Sequence, residues 1–467
     1  LGVGSSSPTL MPVMASDAEA ALPIVHEAVS RELRPSTRSS AALISSLSNL
    51  SIQYNLSAIA IALAFMDNGD RSGPAFPRTA LQSSLLKSSV FAGAITGQLT
   101  MGLAGDVMGR RRAMLLTNSF SICGALGSAL FTWGEPATMY TIMMVCRFVL
   151  GIGVGGKYPL AATISKEDQS TGSNANKSYE VSKAFFWQTP GAMLPYVVGI
   201  ALLGGFGTTH FGIQYLSATN FEFRFLLGIG ALPTIVCTVL TYRSAEGDGY
   251  ANSASASNNP FRVAAAHPEM LKPLAGCGLS WFLYDFIYYG TSFNQVQLTD
   301  TVFGDANTLF ASCWQNVALT VMGLPGVLSA IWLLLKISAW KLQICGFALS
   351  AVTCGALAVA VAAGASDGVK FTIFCSILFA LNWGVNVTTY CLPAEVFPKA
   401  VRTTFFGLAA GMGKVGALIG SASFASITDA VGFGGVYALC AGISVVGMIV
   451  TVLLVPQAAD DETSCES

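Results

Sequence analysis

The chain has 467 residues, of which 53% are hydrophobic and only 10% are charged, whereas a soluble domain carries about 25% charged residues. This composition excludes a soluble fold. The formal net charge of −1 gives no positive field for nucleic acid, so we expect no nucleic-acid partner.

Apolar stretches close to the length that crosses a bilayer, about 20 residues, recur along the chain. They cover 42–66, 84–105, 113–132, 138–164, 181–204, 222–243, 272–294, 309–335, 341–363, 370–391, 403–426 and 432–455. Each stretch is too long for a barrel strand, and lipid does not tolerate open backbone polar groups, so each predicts a helix. The predicted fold is an all-α membrane protein with twelve transmembrane helices.

A long polar segment at 244–270 divides the predicted spans into two groups of six. We predict an N-terminal six-helix bundle at 41–243, a cytoplasmic linker at 244–270 and a C-terminal six-helix bundle at 271–456. Residues 1–40 and 457–467 are predicted tails.

Basic residues are concentrated in alternate loops, which indicates the orientation of the chain. The residues on this side include Arg110, Arg111, Arg112, Lys166, Lys183, Arg243, Lys336, Lys341, Lys399 and Arg402. Loops rich in lysine and arginine face the cytoplasm. We therefore expect both termini to be cytoplasmic, and we expect the membrane to be the plasma membrane.

Enzyme chemistry has little support in the sequence. The 11 cysteines are scattered singly, and His26, His210 and His267 all lie outside the apolar stretches. A histidine metal cluster or a Ser-His-Asp triad within the membrane is therefore not expected. We predict a protein that moves a small polar solute, with no metal and no cofactor.

The loop after the second span carries a glycine, acid and arginine motif. Its main residues are Gly102, Asp106, Gly109, Arg110 and Arg111. The glycines allow a tight turn, and the acid and the arginines can pair across helix ends. This motif resembles the cytoplasmic signature of the major facilitator superfamily, in which it controls conformational change.

Three further stretches, at 147–163, 281–290 and 386–402, contain Gly-Gly-Lys-Tyr-Pro, Trp-Phe-Leu-Tyr-Asp and Pro-Ala-Glu-Val-Phe-Pro. They resemble the phosphate:proton symporters of that superfamily, the inorganic phosphate transporters of fungal and plant type. The resemblance runs from about 84 to 426. It implies two six-helix halves that rock about a site near the membrane midplane.

The resemblance also implies a phosphate site. Its predicted substrate-binding residues are Tyr158, Gln188, Trp281, Asp285, Tyr289, Asn386 and Lys414. A tetrahedral oxyanion in a low-dielectric pocket needs hydroxyl, amide and indole donors and a nearby basic charge, which this set supplies. Trp281, Asp285 and Tyr289 follow each other at intervals of four residues, so they share one face of the seventh span.

The sequence departs from the family at the acids that carry the coupling proton. The first span of the family has two aspartates around a tyrosine, and here those positions are Ile52 and Asn55. The aspartate before Tyr-Pro in the fourth span is Lys157. Charges within the membrane are costly and mark functional positions, and Asp285 is the remaining obvious proton carrier.

Lys157 has three candidate roles: a phosphate ligand, a partner of Asp285, or a lysine that itself carries the proton. We favour pairing with Asp285, from which an incoming anion would release it. Sodium coupling through oxygens such as those of Ser51, Asn55 and Asp285, exchange and uniport also stay open.

The sequence thus predicts a secondary transporter of inorganic phosphate, coupled to a proton or a sodium ion. Two alternatives are an exchanger of another small anion, such as an organophosphate or sulfate, and a nutrient receptor that binds phosphate without net transport.

Overall fold

The computed structural model describes residues 2, 37–67, 76–167, 174–206, 216–244, 268–293 and 308–457, and this part of the chain is almost entirely helical. The first half contains α1 (Thr37–Asp67), α2 (Ala80–Met108), α3 (Arg110–Leu130), α4 (Pro136–Glu167), α5 (Asn174–Phe186), α6 (Gln188–Phe206), α7 (Leu216–Ile229) and α8 (Leu232–Arg243). The second half contains a 3-10 turn (Pro268–Met270), α9 (Leu271–Phe293), α10 (Leu309–Leu333), α11 (Ala339–Ala362), α12 (Asp367–Asn382), α13 (Val385–Val396) and α14 (Arg402–Leu454).

These helices coincide with the twelve predicted spans. Three spans are each built from two consecutive helices, α5 with α6, α7 with α8, and α12 with α13. The last two spans form α14, which breaks at Gly432, where φ is +76°. In the described part of the chain, ten helical segments are long and apolar enough to cross a membrane. The second and seventh spans are α2 and α9, of 29 and 23 residues.

The two halves meet along α2 with α14 and along α6 with α10. The contact of α2 with α14 is close because it is built on glycine: a Cβ atom at Gly407 would lie 2.2 Å from the backbone oxygen of Gln98. Within the halves, α2 packs on α4 and α9 packs on α14. Side chains of both halves therefore converge along the central axis.

The predicted tails and linker fall mostly on residues outside the described ranges, so their boundaries stay predictions. Helix α1 begins at Thr37, a few residues before the predicted start of the first bundle, and α8 ends at Arg243, where the linker was predicted to begin.

Candidate substrate-binding site

A central cavity of about 420 Å³ lies between the two halves. All seven predicted substrate-binding residues line it: Tyr158, Gln188, Trp281, Asp285, Tyr289, Asn386 and Lys414. Helices α4, α6, α9, α13 and α14 thus bring together residues that are up to 256 positions apart in sequence. The cavity extends to Asp67, Arg78 and Lys87, near the start of α2.

The charged centre of the cavity is a buried ion pair. The Lys414 ammonium lies 2.9 Å from Oδ2 of Asp285, and both side chains are almost wholly buried. Lys414 also donates to the Tyr289 hydroxyl at 3.2 Å. The predicted face of α9 is therefore present, since Asp285 and Tyr289, four residues apart, contact the same ammonium. Because Lys414 and Asp285 both line the cavity, an anion that enters the cavity can reach the pair.

Aromatic rings surround this ion pair. The Lys414 nitrogen lies 5.0 Å from the ring centroid of Tyr158 and 4.7 Å from that of Tyr289. Tyr158 packs edge-on against Trp281 with the centroids 6.2 Å apart, and Trp281 packs against Phe406 in the same way. Rings hold the ammonium through their electron-rich faces and exclude water from around it.

The amide groups of the cavity are fixed by neighbouring side chains. Gln188 donates from Nε2 to Oδ1 of Asn49 at 2.9 Å, and Asn49 donates to the Tyr390 hydroxyl at 3.3 Å. Asn386 donates from Nδ2 to Oδ1 of Asn382 at 3.1 Å. The Gln188 side chain also hydrogen-bonds to Tyr158. Each amide nitrogen carries two hydrogens, so Asn386 retains a second donor for an anion.

The two halves close against each other at the end of α2 away from Lys87. Asp106 accepts from the backbone nitrogen and the hydroxyl of Thr404, both at 2.7 Å, at the start of α14. A carboxylate at a helix N-terminus is stabilised by the free backbone N–H groups there. Arg110 forms an ion pair with Asp106 at 3.2 Å and donates to the backbone oxygen of Lys399 at 3.1 Å.

The rest of the glycine and arginine motif positions these contacts. Gly109 separates α2 from α3 with a φ of +96°, which is favourable for glycine. Gly102 lies against the backbone of Thr403, and Arg111 donates to the backbone oxygen of Tyr242 at 2.6 Å. Asp106 and Arg110 do pair across a helix junction, as the motif predicts.

Further contacts between the halves lie at the same end. Lys166 of α4 donates to the backbone oxygen of Ala394 at 2.8 Å, and Ser178 of α5 hydrogen-bonds to the carboxylate of Glu395 in α13. The cavity is thus closed on the side of the Asp106 motif and reaches towards the other end.

Comparison with known proteins decides the family. A family model described as sugar (and other) transporter matches residues 36–244 and 279–463. The chain belongs to this transporter family. It is therefore a multi-pass membrane transporter and not an enzyme.

Named relatives of this transporter bear out the resemblance to phosphate transporters. Inorganic phosphate transporter PT2 of Toxoplasma gondii is 35% identical over 402 residues, which cover 86% of this chain and 69% of that protein. Probable inorganic phosphate transporter 1-6 of Arabidopsis thaliana is 25% identical, with 79% of this chain and 81% of that protein covered.

Solved structures confirm the predicted major facilitator fold. The proton:xylose symporter XylE bound to 6-bromo-6-deoxy-D-glucose gives a TM-score of 0.77 at 17% identity, covering 91% of this chain and 97% of that one. The transporter FucP in the outward conformation gives 0.69 at 17% identity, covering 89% and 99%. At these identities the likeness concerns the fold alone.

The expected pair of Lys157 with Asp285 is wrong in this structure of the transporter. Lys157 is fully buried and donates to the hydroxyls of Ser51 at 3.0 Å and Thr234 at 2.8 Å, while Asp285 is paired with Lys414. Successive residues of an α-helix point about 100° apart. Tyr158 faces the cavity, so the neighbouring Lys157 faces α1 and α8 instead, and it does not line the cavity.

Of the residues suggested for sodium, Ser51 and Asn55 contact each other in α1, but neither lines the cavity that Asp285 lines. Ser51 accepts from Lys157, and Asn55 donates to the backbone oxygens of Ser51 and Gly230. Asp285 instead lines the cavity and is bonded to Lys414. Lys157 of α4 thus contacts the first span at Ser51, next to Ile52, which stands where the family has an aspartate.

Several polar residues of the cavity were missed by the sequence analysis. They are Gln53, Ser57, Ser292, Ser312, Asn316, Thr320 and Asn382. A signal existed in α1, where Asn49, Gln53 and Ser57 recur at intervals of four residues in an apolar span. Polar side chains repeated on one face of a transmembrane helix indicate a face turned towards a cavity.

Proposed function

We propose that the protein is a secondary transporter of inorganic phosphate that works by alternating access. The observation that carries this proposal is the buried Lys414–Asp285 pair, set in a cavity with hydroxyl, indole and amide donors. Phosphate binds strongly where a positive charge and directional donors converge away from water. The names of the relatives, inorganic phosphate transporters in several organisms, support the same substrate.

In the proposed cycle, phosphate enters from the side of Arg78 and Lys87 and approaches Lys414. The anion competes with Asp285 for the ammonium, which favours proton uptake by Asp285 because an unpaired carboxylate is costly in a low dielectric. The proton then travels with phosphate. We therefore propose proton coupling through Asp285, with sodium coupling, exchange and uniport as the competing outcomes of the test.

Release requires the closed end to open. The contacts of Asp106 with Thr404, and of Lys166 with Ala394, connect the two halves there and must break when the halves rock. They hold the outward-facing state in which the cavity is open on one side.

We further propose that this closed end faces the cytoplasm, that both termini are cytoplasmic and that the membrane is the plasma membrane. The support is charge: Arg110 contacts Lys399 and Arg111 contacts the chain next to Arg243, so basic residues cluster at the closed end. Such clusters favour the cytoplasmic side.

The decisive experiment is labelled phosphate uptake into proteoliposomes under an imposed proton gradient, an imposed sodium gradient, or phosphate on the far side. Uphill uptake driven by protons supports the proposal. Uptake driven by the sodium gradient would show sodium coupling instead of proton coupling. Uptake stimulated only by phosphate on the far side would show exchange. Phosphate binding without flux under all three conditions would favour a receptor. Preferential uptake of an organophosphate or sulfate would show that the protein transports that anion rather than inorganic phosphate.

A further inference from the structure

A hydrogen bond between Asn49 of α1 and Tyr390 of α13 joins the two halves between the cavity and the closed end. Asn49 donates from Nδ2 to the Tyr390 hydroxyl at 3.3 Å, and both side chains are completely buried. On α13, Asn386 lines the cavity, and Tyr390 follows one helical turn later, towards Ala394 at the closed end. The hydrogen bond therefore lies on the path that must open for release.

The ring of Tyr390 packs against the first half independently of this hydrogen bond. Its centroid lies 4.7 Å from that of Phe185 and 6.2 Å from that of Tyr158, both in the first half. One residue further along α13, the Cys391 sulfur lies 2.8 Å from the Ser182 hydroxyl of α5. Removing the Tyr390 hydroxyl leaves the ring in place, so the hydrogen bond can be tested separately.

Asn49 is also bonded to a side chain that an anion in the cavity can reach. Gln188 lines the cavity, is only partly buried, and donates from Nε2 to Oδ1 of Asn49 at 2.9 Å. The Gln188 side chain also hydrogen-bonds to Tyr158, whose ring centroid lies 5.0 Å from the Lys414 nitrogen. Contacts thus connect the proposed phosphate anchor with the hydrogen bond between the halves.

An anion that binds Gln188 must change these contacts, because an amide nitrogen has only two hydrogens. The anion competes with Asn49 and Tyr158 for them. When Gln188 turns to the anion, the oxygen of Asn49 loses its donor, and a buried acceptor without a donor is costly. The orientation in which Asn49 donates to Tyr390 is then less stable.

We propose that the Asn49–Tyr390 hydrogen bond is an inner gate of the transporter and that bound phosphate releases it through Gln188. The proposal rests on the phosphate transport proposed above. Asn49 and Tyr390 are positioning residues, since neither lines the cavity. By linkage, a ligand that favours the released gate binds more tightly once the gate is removed.

The test measures how often the closed end opens, with Cys391 as a native reporter. Cys391 is fully buried between the halves, so it should react with N-ethylmaleimide only when they separate. The modified peptide is quantified by mass spectrometry with and without inorganic phosphate. In the wild-type protein, phosphate should speed up the modification because it favours opening at this end.

Tyr390→Phe removes the hydroxyl of the gate and keeps the ring. Without phosphate, modification of Cys391 should be about threefold to tenfold faster than in wild type, as expected for one lost hydrogen bond. The Kd for phosphate should fall by at most the same factor, whereas general damage to the cavity would raise it.

Tyr54→Phe is the matched control. The buried Tyr54 hydroxyl donates to the backbone oxygen of Leu226 at 2.8 Å, and both residues belong to the first half. The same chemical change is therefore made at a bond that does not join the halves. It should alter neither the rate of Cys391 modification nor the Kd for phosphate.

Asn49→Leu tests whether Asn49 and Tyr390 act through one contact. It should also speed up the modification of Cys391, and adding Tyr390→Phe to it should change the rate by no more than about twofold. Independent effects of the two changes would multiply instead.

Equal rates of Cys391 modification in Tyr390→Phe and Tyr54→Phe would overturn the proposal, as would multiplying effects in the double variant. A wild-type protein that accumulates phosphate but shows no effect of phosphate on Cys391 would also overturn it, and would leave the transport function intact. A wild-type protein that takes up no phosphate under any gradient would overturn the function and the release by phosphate together.

Discussion

Two buried lysines, one in each half, are held in opposite ways. Lys414 in the second half pairs with the carboxylate of Asp285 and lines the cavity. Lys157 in the first half is surrounded by the hydroxyls of Ser51 and Thr234 and is separated from the cavity. Both nitrogens are within 3.0 Å of oxygen, but only one has a negative charge among these partners.

These different surroundings limit what each lysine can do. A buried ion pair is stabilised by its counter-charge, so an incoming anion can exchange with the carboxylate and change the protonation of the pair. A lysine held by neutral hydroxyls has no such counter-ion to release, and its charge stays within the first half. We therefore assign the substrate response to Lys414 and a fixed role to Lys157.

The largest effect is expected from Lys414→Met. Removing one partner of a buried pair leaves Asp285 as an uncompensated charge, which costs about 3–5 kcal/mol. Phosphate also loses its positive anchor. We expect kcat/KM for phosphate uptake to fall by at least about 100-fold, measured in proteoliposomes.

The control is the double variant Lys414→Met with Asp285→Asn, which should regain the thermal stability of the folded protein but not its uptake. Uptake within a few-fold of wild type in Lys414→Met would contradict the role assigned to Lys414, because Lys414 would then matter no more for uptake than Lys157.

Asp285→Asn is expected to have the next largest effect. The amide cannot take up and release a proton, so accumulation driven by a proton gradient should fall by at least about tenfold. Exchange of internal for external phosphate needs no net proton movement and should continue. Measuring both fluxes on the same vesicles checks this, and equal loss of both would mean that Asp285 serves binding rather than coupling.

Thr234→Val should affect stability more than transport. The change keeps the shape of the side chain and removes one of the two hydroxyls that accept from Lys157. A lost hydrogen bond to a buried charge costs about 1.5–3 kcal/mol, so the midpoint of thermal unfolding should fall by a few degrees while the KM stays near its wild-type value. An unchanged midpoint would mean that Lys157 is not held as a charge by this hydroxyl.

Lys157→Met is also expected to have little effect on transport. Ser51 and Thr234 already lie 2.6 Å apart and can hydrogen-bond to each other without the lysine. Because Lys157 does not line the cavity, the KM for phosphate should change by no more than about threefold. Loss of proton-driven uptake in this variant, with the folded protein intact, would instead make Lys157 part of the coupling path.

The sequence predicted the contents of the cavity better than the contacts within it. Motif resemblance identified Trp281, Asp285, Tyr289 and Lys414, and the structure places all four around the same cavity. The partner of Lys157 was wrong because sequence adjacency to Tyr158 says nothing about which neighbour each side chain meets. That choice depends on how α4 packs against α1 and α8.

Gln53 is a second case in which the sequence indicates the position of a side chain but not its contacts. Its spacing from Asn49 and Ser57 is visible in the sequence. No donor among the described residues reaches its buried Oε1 atom, and that depends on which side chains of other helices lie next to it. Short-range periodicity records which residues share a helix face. It carries no information on whether a partner from another helix satisfies them.

The number of spans, the membrane class, the basic side and the transporter motif were determined by the sequence alone, because hydrophobic length and loop charge act locally along the chain. The tertiary structure set which lysine is paired with the carboxylate, which end of the cavity is closed, and which buried amide atoms of the described residues have no partner. These features depend on atoms that approach within about 3 Å from helices far apart in sequence, and only the packing of the two halves specifies those distances.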